Sequence, residues 1–131
     1  MARLTDNERF LQVATKGLRS MRELMPRQPL GFGNWLCALD LYLSTPKEVA
    51  IIGPRDNPAA AELLHALCAA FLPNKVVAAY DPTDPTAISD LALLSNRQMV
   101  NDMPTVYICQ QYTCQAPVTD PAALTAQLRD N

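Results

Sequence analysis

The sequence is poor in glycine and histidine, with four of the first and one of the second among 131 residues. With so few glycines there is no dinucleotide fingerprint and no phosphate loop closing on Lys-Ser/Thr, because both need glycines at set spacings. A single histidine and scattered cysteines do not complete a zinc site, which takes four ligands in paired spacing. No apolar run approaches the ~20 residues that cross a bilayer. The opening stretch MARLTDNERFLQ is too polar for the apolar centre of an export signal. No serine sits in a Gly-x-Ser-x-Gly elbow. Positive charge is not in excess either. Eleven Lys/Arg stand against thirteen Asp/Glu, a net charge of -2, whereas nucleic-acid binders usually show a basic face. The expectation is a cytoplasmic protein with no cofactor, no metal, no nucleic-acid partner and no membrane contact.

What is present is apolar. Hydrophobic residues make up 49% of the chain, enough for a sizeable core, and the length suits one domain of roughly 100–150 residues. Eleven prolines fall between elements and punctuate them. Residues 6–25 read as an amphipathic helix, with Phe10, Leu11, Ala14, Leu18, Met21 and Met25 at three- and four-residue steps, Thr5 or Asp6 as cap and Pro26 at the end. After a Pro/Gly loop, residues 34–44 (NWLCALDLYLS) form a second helix that is apolar on most sides. Such a helix wants burial from several directions, and a two-helix hairpin leaves it underburied.

Beyond Pro46 the pattern changes. KEVAII (47–52) reads as a buried strand, and Asp56 or Asn57 caps a helix from Pro58 to about Phe71 with Ala61, Leu64, Leu67, Cys68 and Phe71 on one face. KVVAAY (75–80) is a second strand, residues 87–94 a weak helix, PTVYIC (104–109) a third strand, and a last helix runs from Asp120-Pro121 to about Arg129. The order β-α-β-α-β-α, with strands that are solid apolar runs, predicts an α/β fold. Its helical hairpin (residues 1–45) precedes a small α/β domain (residues 46–131) with a three-stranded, mainly parallel sheet and flanking helices.

Four places invite a functional reading. Gly53 follows a strand and precedes a helix, where anions are often held, but Pro54 and Pro58 remove two of the N–H donors such a cradle uses. Asp81 and Asp84 lie in a Pro-rich loop at the carboxyl edge of the sheet, where α/β ligands bind, yet Asp and Pro are also ordinary turn residues. His65 has no nucleophile or orienting partner in sequence reach, so it reads as structural. The most specific feature is Cys109-Gln-Gln-Tyr-Thr-Cys114. Its spacing brings two thiols within bridging range, as a redox couple, a structural staple or half of a shared metal site. Free thiols are expected in a reducing compartment, with the Tyr112 ring able to pin the loop. Cys37 and Cys68 sit in apolar helical patterns and read as small hydrophobes.

Three stretches carry a family resemblance: GNWLCALDLYLSTPKEVAIIG (33–53), AAFLPNKVVAAYDP (69–82) and PTVYICQQYTCQAPVTDPAAL (104–124). From about Glu8 to Leu128 the chain resembles the C-terminal end of the spermatogenesis-associated protein 20-like family, large bacterial and eukaryotic proteins often called thioredoxin-domain-containing. The resemblance implies an N-terminal thioredoxin-like domain and a central α/α toroid, similar to six-hairpin glycosidases, both upstream of the stretch matched here. It implies that the hairpin is the last piece of the toroid and that no catalytic residue falls on these positions. The function implied is a non-catalytic accessory domain whose partner is the rest of the parent protein. The competing readings are a thiol redox module acting through Cys109 and Cys114, or a fragment of a sugar-linked enzyme. Trp35, Leu36, Leu39, Leu41, Tyr42 and Leu43 spread around their helix, so the isolated chain is also expected to self-associate, with a homodimer through the hairpin as the simplest form.

Overall fold

A computed structural model of the chain describes residues 2–87, 90–111 and 113–129. A short helix α1 (Ala2–Thr5) is followed by α2 (Glu8–Ser20) and, after a turn of 3-10 helix at Pro29–Phe32, by α3 (Gly33–Leu43). Then come β1 (Lys47–Ile52), α4 (Pro58–Ala69), β2 (Lys75–Tyr80), a 3-10 turn at Ala92–Leu94, β3 (Thr105–Gln110), β4 (Thr113–Cys114) and α5 (Pro121–Arg129).

The α/β architecture agrees with the sequence pattern, with a fourth strand and a different sense for β3. The sheet order is β2-β1-β3-β4. β1 and β2 pair in parallel, with Val49 beside Val77, whereas β3 runs antiparallel to β1, with Val49 opposite Ile108. β4 returns antiparallel to β3. A parallel β3 would need a crossover of a dozen or more residues, usually a helix, to carry the chain back along the sheet. Among its described residues the connection from 81 to 104 carries only the 3-10 turn at Ala92–Leu94. It passes over one face of the sheet, where Leu93 and Leu94 pack, and returns to the end where β2 finishes, so that Thr105 starts β3 opposite Ile52, the residue paired with Tyr80. The helix expected over 87–94 is a single 3-10 turn in the part described, and residues 88 and 89 lie outside the described residues. Just before β3, Asn101 and Asp102 both take positive φ and close a two-residue turn bridged by Val100 and Met103.

The sheet is covered on both faces, which is why β1 is apolar at every position from Val49 to Ile52. On one face Val49, Ile51, Val106 and Ile108 meet Leu63 and Leu67 of α4 and Leu124 and Leu128 of α5. On the other, Ala50, Ile52 and Ala78 meet Leu93 and Leu94 of the long connection, with Leu4 of α1 at the margin. Truncating one such fully buried leucine to alanine costs about 2–5 kcal/mol. The buried stripe of α4 is Leu63–Leu67, not Leu64–Phe71. Leu64 and Phe71 are exposed, because the helix ends at Ala69 and the side that meets the sheet carries Leu63, Leu67 and, just past the helix end, Ala70, at steps of four and three residues.

Lys47 opens β1 yet is only 7% exposed. Its Nζ donates to the carbonyls of Leu128 (2.8 Å) and Gln127 (3.4 Å) at the C-terminus of α5, where a cation meets the negative end of the helix dipole.

The first helix is shorter than the sequence pattern suggested. Asp6 takes φ 51°, which breaks α1 from α2, and Asn7 rather than Thr5 or Asp6 caps α2 through Arg9 N–H (2.9 Å). Leu18 and Met25 are buried, while Phe10 and Leu11 of the same stripe are exposed. α3 buries no residue fully, in line with a helix that two partners cannot cover. Cys37 and Cys68 are free and exposed, so neither packs as a core hydrophobe: Cys37 sits on this uncovered helix, and Cys68 follows Leu67 onto the outer side of α4.

Candidate functional site

The candidate loop at Gly53 is explained by packing. A Cβ at this position would lie 2.9 Å from Pro104 Cβ and 3.1 Å from Pro104 Cα, so the glycine is needed for close approach of the β1 end to the chain entering β3. Its N–H donates to Tyr80 O (3.0 Å). The next donor that an anion would use, Arg55 N–H, is bound to Asp81 Oδ2 at 2.8 Å. The protein's own carboxylate occupies the place of a phosphate.

Asp81 and Asp84 therefore act as loop staples. Asp81 Oδ1 accepts from Thr83 N–H and Oγ1 (2.8 and 2.7 Å), and Asp84 Oδ1 accepts from Thr86 N–H and Oγ1 (2.8 and 2.6 Å). These bonds favour the charged form. The Arg55 amide lowers the Asp81 pKa below the ordinary 3.8, followed by Thr83; the Thr86 hydroxyl and amide do the same for Asp84. Among the described residues no three His, Cys, Asp or Glu are grouped to hold a metal ion. His65 is exposed on α4. Among the described residues, no helix is long and apolar enough to cross a membrane.

Cys109 and Cys114 are brought together, and they are bridged as a disulfide rather than held as the expected free thiols. They face each other across β3 and β4, with Cα atoms 4.0 Å apart. The neighbouring pair exchanges the backbone bond, Gln115 N–H to Ile108 O at 2.9 Å, so the cysteines hold a non-hydrogen-bonded register position, where side chains approach most closely. Gln111 takes φ 50° in the turn, and Tyr112 lies outside the described residues. The two sulfurs differ in access. Cys109 is 3% exposed, whereas Cys114 is exposed.

Arg97, which no local pattern singles out, completes the site. Its Nη2 lies 3.1 Å from Cys109 Sγ and 3.7 Å from Cys114 Sγ, and Nη1 lies 3.8 Å from Cys114 Sγ. The guanidinium is held from behind by Nε–H to Leu93 O (2.6 Å) and stands over the Tyr107 ring at 5.1 Å from its centroid. Partial burial lowers its pKa from the ordinary value; the Tyr107 and Glu48 side chains act in the opposite direction. The sulfurs and Arg97 line a cavity of about 210 Å³ with Arg3, Asp6 and Glu48, where Arg3 pairs with Glu48 at 3.7 Å.

A second feature is the uncovered side of the hairpin. A groove of about 770 Å³ runs between α1, α2 and α3, with Phe10, Leu11, Ala14, Trp35, Leu41 and Tyr42 among its lining. Phe10, Leu11, Trp35, Leu36, Leu41 and Tyr42 are all exposed.

Fold and site together define a small α/β domain with a bridged cysteine pair on its edge hairpin and a helical hairpin whose apolar side is open. No protein-family model matches the chain, and no solved structure matches it. Among curated proteins it is 30% identical over 108 residues to human Spermatogenesis-associated protein 20, 82% of this chain. It is 30% identical over 122 residues to the rat protein, 92% of this chain, and 31% identical over 108 residues to the mouse protein. The chain belongs to the spermatogenesis-associated protein 20-like family. It spans only 14–16% of the length of the curated relatives that it matches, so it corresponds to one part of much larger proteins.

Proposed function

We propose that this chain is a non-catalytic accessory domain that packs on and completes a larger protein of its family. The observation that carries the reading is the open apolar groove of the hairpin, with Trp35, Leu41 and Tyr42 exposed on α3. Exposed patches of this kind mark interfaces, and the relatives carry more than four-fifths of their length outside the matched stretch. In this reading residues 1–45 end a helical toroid, residues 46–131 form the accessory α/β unit, and the groove takes apolar helices of the parent protein. The family resemblance supplies the nature of the remainder, a thioredoxin-like domain and a toroid. The sheet side supplies rigidity, since its core is closed on both faces.

The test uses the chain alone and then with the rest of the parent protein added. Sedimentation and an apolar fluorescent dye are expected to report self-association or strong dye binding, and Trp35→Asp with Leu41→Glu to reduce both. A dye-silent monomer that shows no affinity for the rest of the parent protein sinks the reading. Turnover of a sugar or nucleotide substrate by the isolated chain does so as well.

A further inference from the structure

We propose that Cys109–Cys114 is a thiol–disulfide exchange site that takes a dithiol reductant at Cys114 and releases the electron pair onto the Cys109 sulfur beneath Arg97. Three observations converge. Access is one-sided, because Cys114 is exposed and Cys109 is 3% exposed, so an incoming thiolate reaches the Cys114 sulfur. The cation is also one-sided, because Arg97 Nη2 is 3.1 Å from Cys109 Sγ but 3.7 Å from Cys114 Sγ. Lastly, the cation is held in place before the reaction by Leu93 O and the Tyr107 ring, so it need not reorganise as charge develops.

The step balances as follows. A thiolate of the dithiol attacks Cys114 Sγ, a new S–S bond forms there, and the Cys109–Cys114 bond breaks with its electron pair going to Cys109 Sγ. That sulfur leaves as a thiolate, which burial would disfavour and the guanidinium N–H donors stabilise. The second thiol of the dithiol, deprotonated, then attacks its own sulfur in the mixed disulfide and expels the Cys114 thiolate. The dithiol ends as a disulfide, having lost two electrons, and its two protons end on Cys109 and Cys114. A low-pKa leaving thiol departs faster and a stabilised reduced form makes the pair a better oxidant. Other charged groups line the same cavity, Arg3 and Asp6 from the N-terminal segment and Glu48 from β1, while the Tyr107 hydroxyl from β3 donates to Gln98 O at 2.8 Å. Arg3 offsets Glu48 through their ion pair, and Arg97 is the cation within reach of both sulfurs.

The experiment uses the full chain with Cys37→Ser and Cys68→Ser, which removes the two exposed free thiols. Dithiothreitol reduces the pair at neutral pH, and alkylation followed by mass analysis counts the thiols released. Arg97→Gln is expected to slow reduction by about 10- to 100-fold, the scale of a hydrogen bond to a charged group, and Arg97→Lys to restore part of the rate. In the reduced protein the ultraviolet thiolate absorbance of Cys109 titrates at higher pH in Arg97→Gln than in the parent, a shift that a merely structural arginine would not produce. Glutathione is expected to be captured on Cys114. Capture on Cys109, equal reduction rates with and without the arginine, an unmoved thiolate titration, or reduction only at the rate of global unfolding would each overturn the proposal. If Arg97→Gln does not fold, the Arg97→Lys comparison and the site of glutathione capture decide it alone.

Discussion

Replacing Lys47 by Met keeps the aliphatic stem of the side chain and removes the cation that closes the last turn of α5. Lys47 is 7% exposed, and its Nζ donates to Leu128 O at 2.8 Å and to Gln127 O at 3.4 Å. Both carbonyls belong to the last turn, whose C=O groups have no partner within the helix. The short bond, between a charged donor and a carbonyl, contributes about 1.5–3 kcal/mol; the acceptor left without it costs a similar amount only if it stays dry. The long bond adds little. Against these stands the desolvation of the ammonium, which Met avoids. The expected net loss is about 2 kcal/mol, at the middle of the range for a charge-assisted bond. With a urea slope of about 1–3 kcal/mol per molar for a domain of this size, the midpoint falls by roughly 1 M with the slope unchanged. Far-ultraviolet circular dichroism against urea at neutral pH measures both quantities. A midpoint within about 0.2 M of the parent, on the same slope scale, would mean that desolvation cancels the bonds and that the capping argument is wrong.

Two further substitutions test the loop readings. Gly53→Ala forces a Cβ to within 2.9 Å of Pro104 Cβ and is expected to destabilise the chain by about 1–3 kcal/mol; an unchanged thermal midpoint would show that the β1–β3 approach has slack. Asp81 and Asp84 have folded-state pKa values below the ordinary 3.8, so their contribution is complete above that value and is lost as pH falls through the lower folded ones. Asp81→Asn with Asp84→Asn is expected to flatten the acid limb of stability against pH, read from urea midpoints at successive pH values, and an acid limb identical to the parent's refutes the assignment.

Local chemistry carried the elements that are decided locally. KEVAII reads as a buried strand because β1 is covered on both faces, and a strand covered twice has no polar alternation to show. Asn57-Pro58 marks the start of α4 because a side-chain acceptor and a missing N–H both suit a helix N-terminus. The uncovered state of α3 was visible too, since a helix apolar on most sides exceeds what one neighbour can bury. The bridged pair was visible as a spacing, though not as a bonded state.

Other features depended on contacts between distant parts of the chain. Whether α4 buries Leu63 or Leu64 turns on where the sheet meets it, a rotation of one residue that an Ala/Leu-rich helix tolerates in either direction. The sense of β3 depended on which end of the sheet the 81–104 connection reached, and no residue in that loop encodes the sheet it borders. Asp81 looked like a ligand carboxylate until Arg55, 26 positions earlier, placed an amide against it. Arg97 carries no motif at all. Its role exists because Leu93, Tyr107 and two sulfurs surround one guanidinium. Patterns of period two or nearly four report which residues seek burial; which partner satisfies each polar group is settled only when segments far apart in the chain come together.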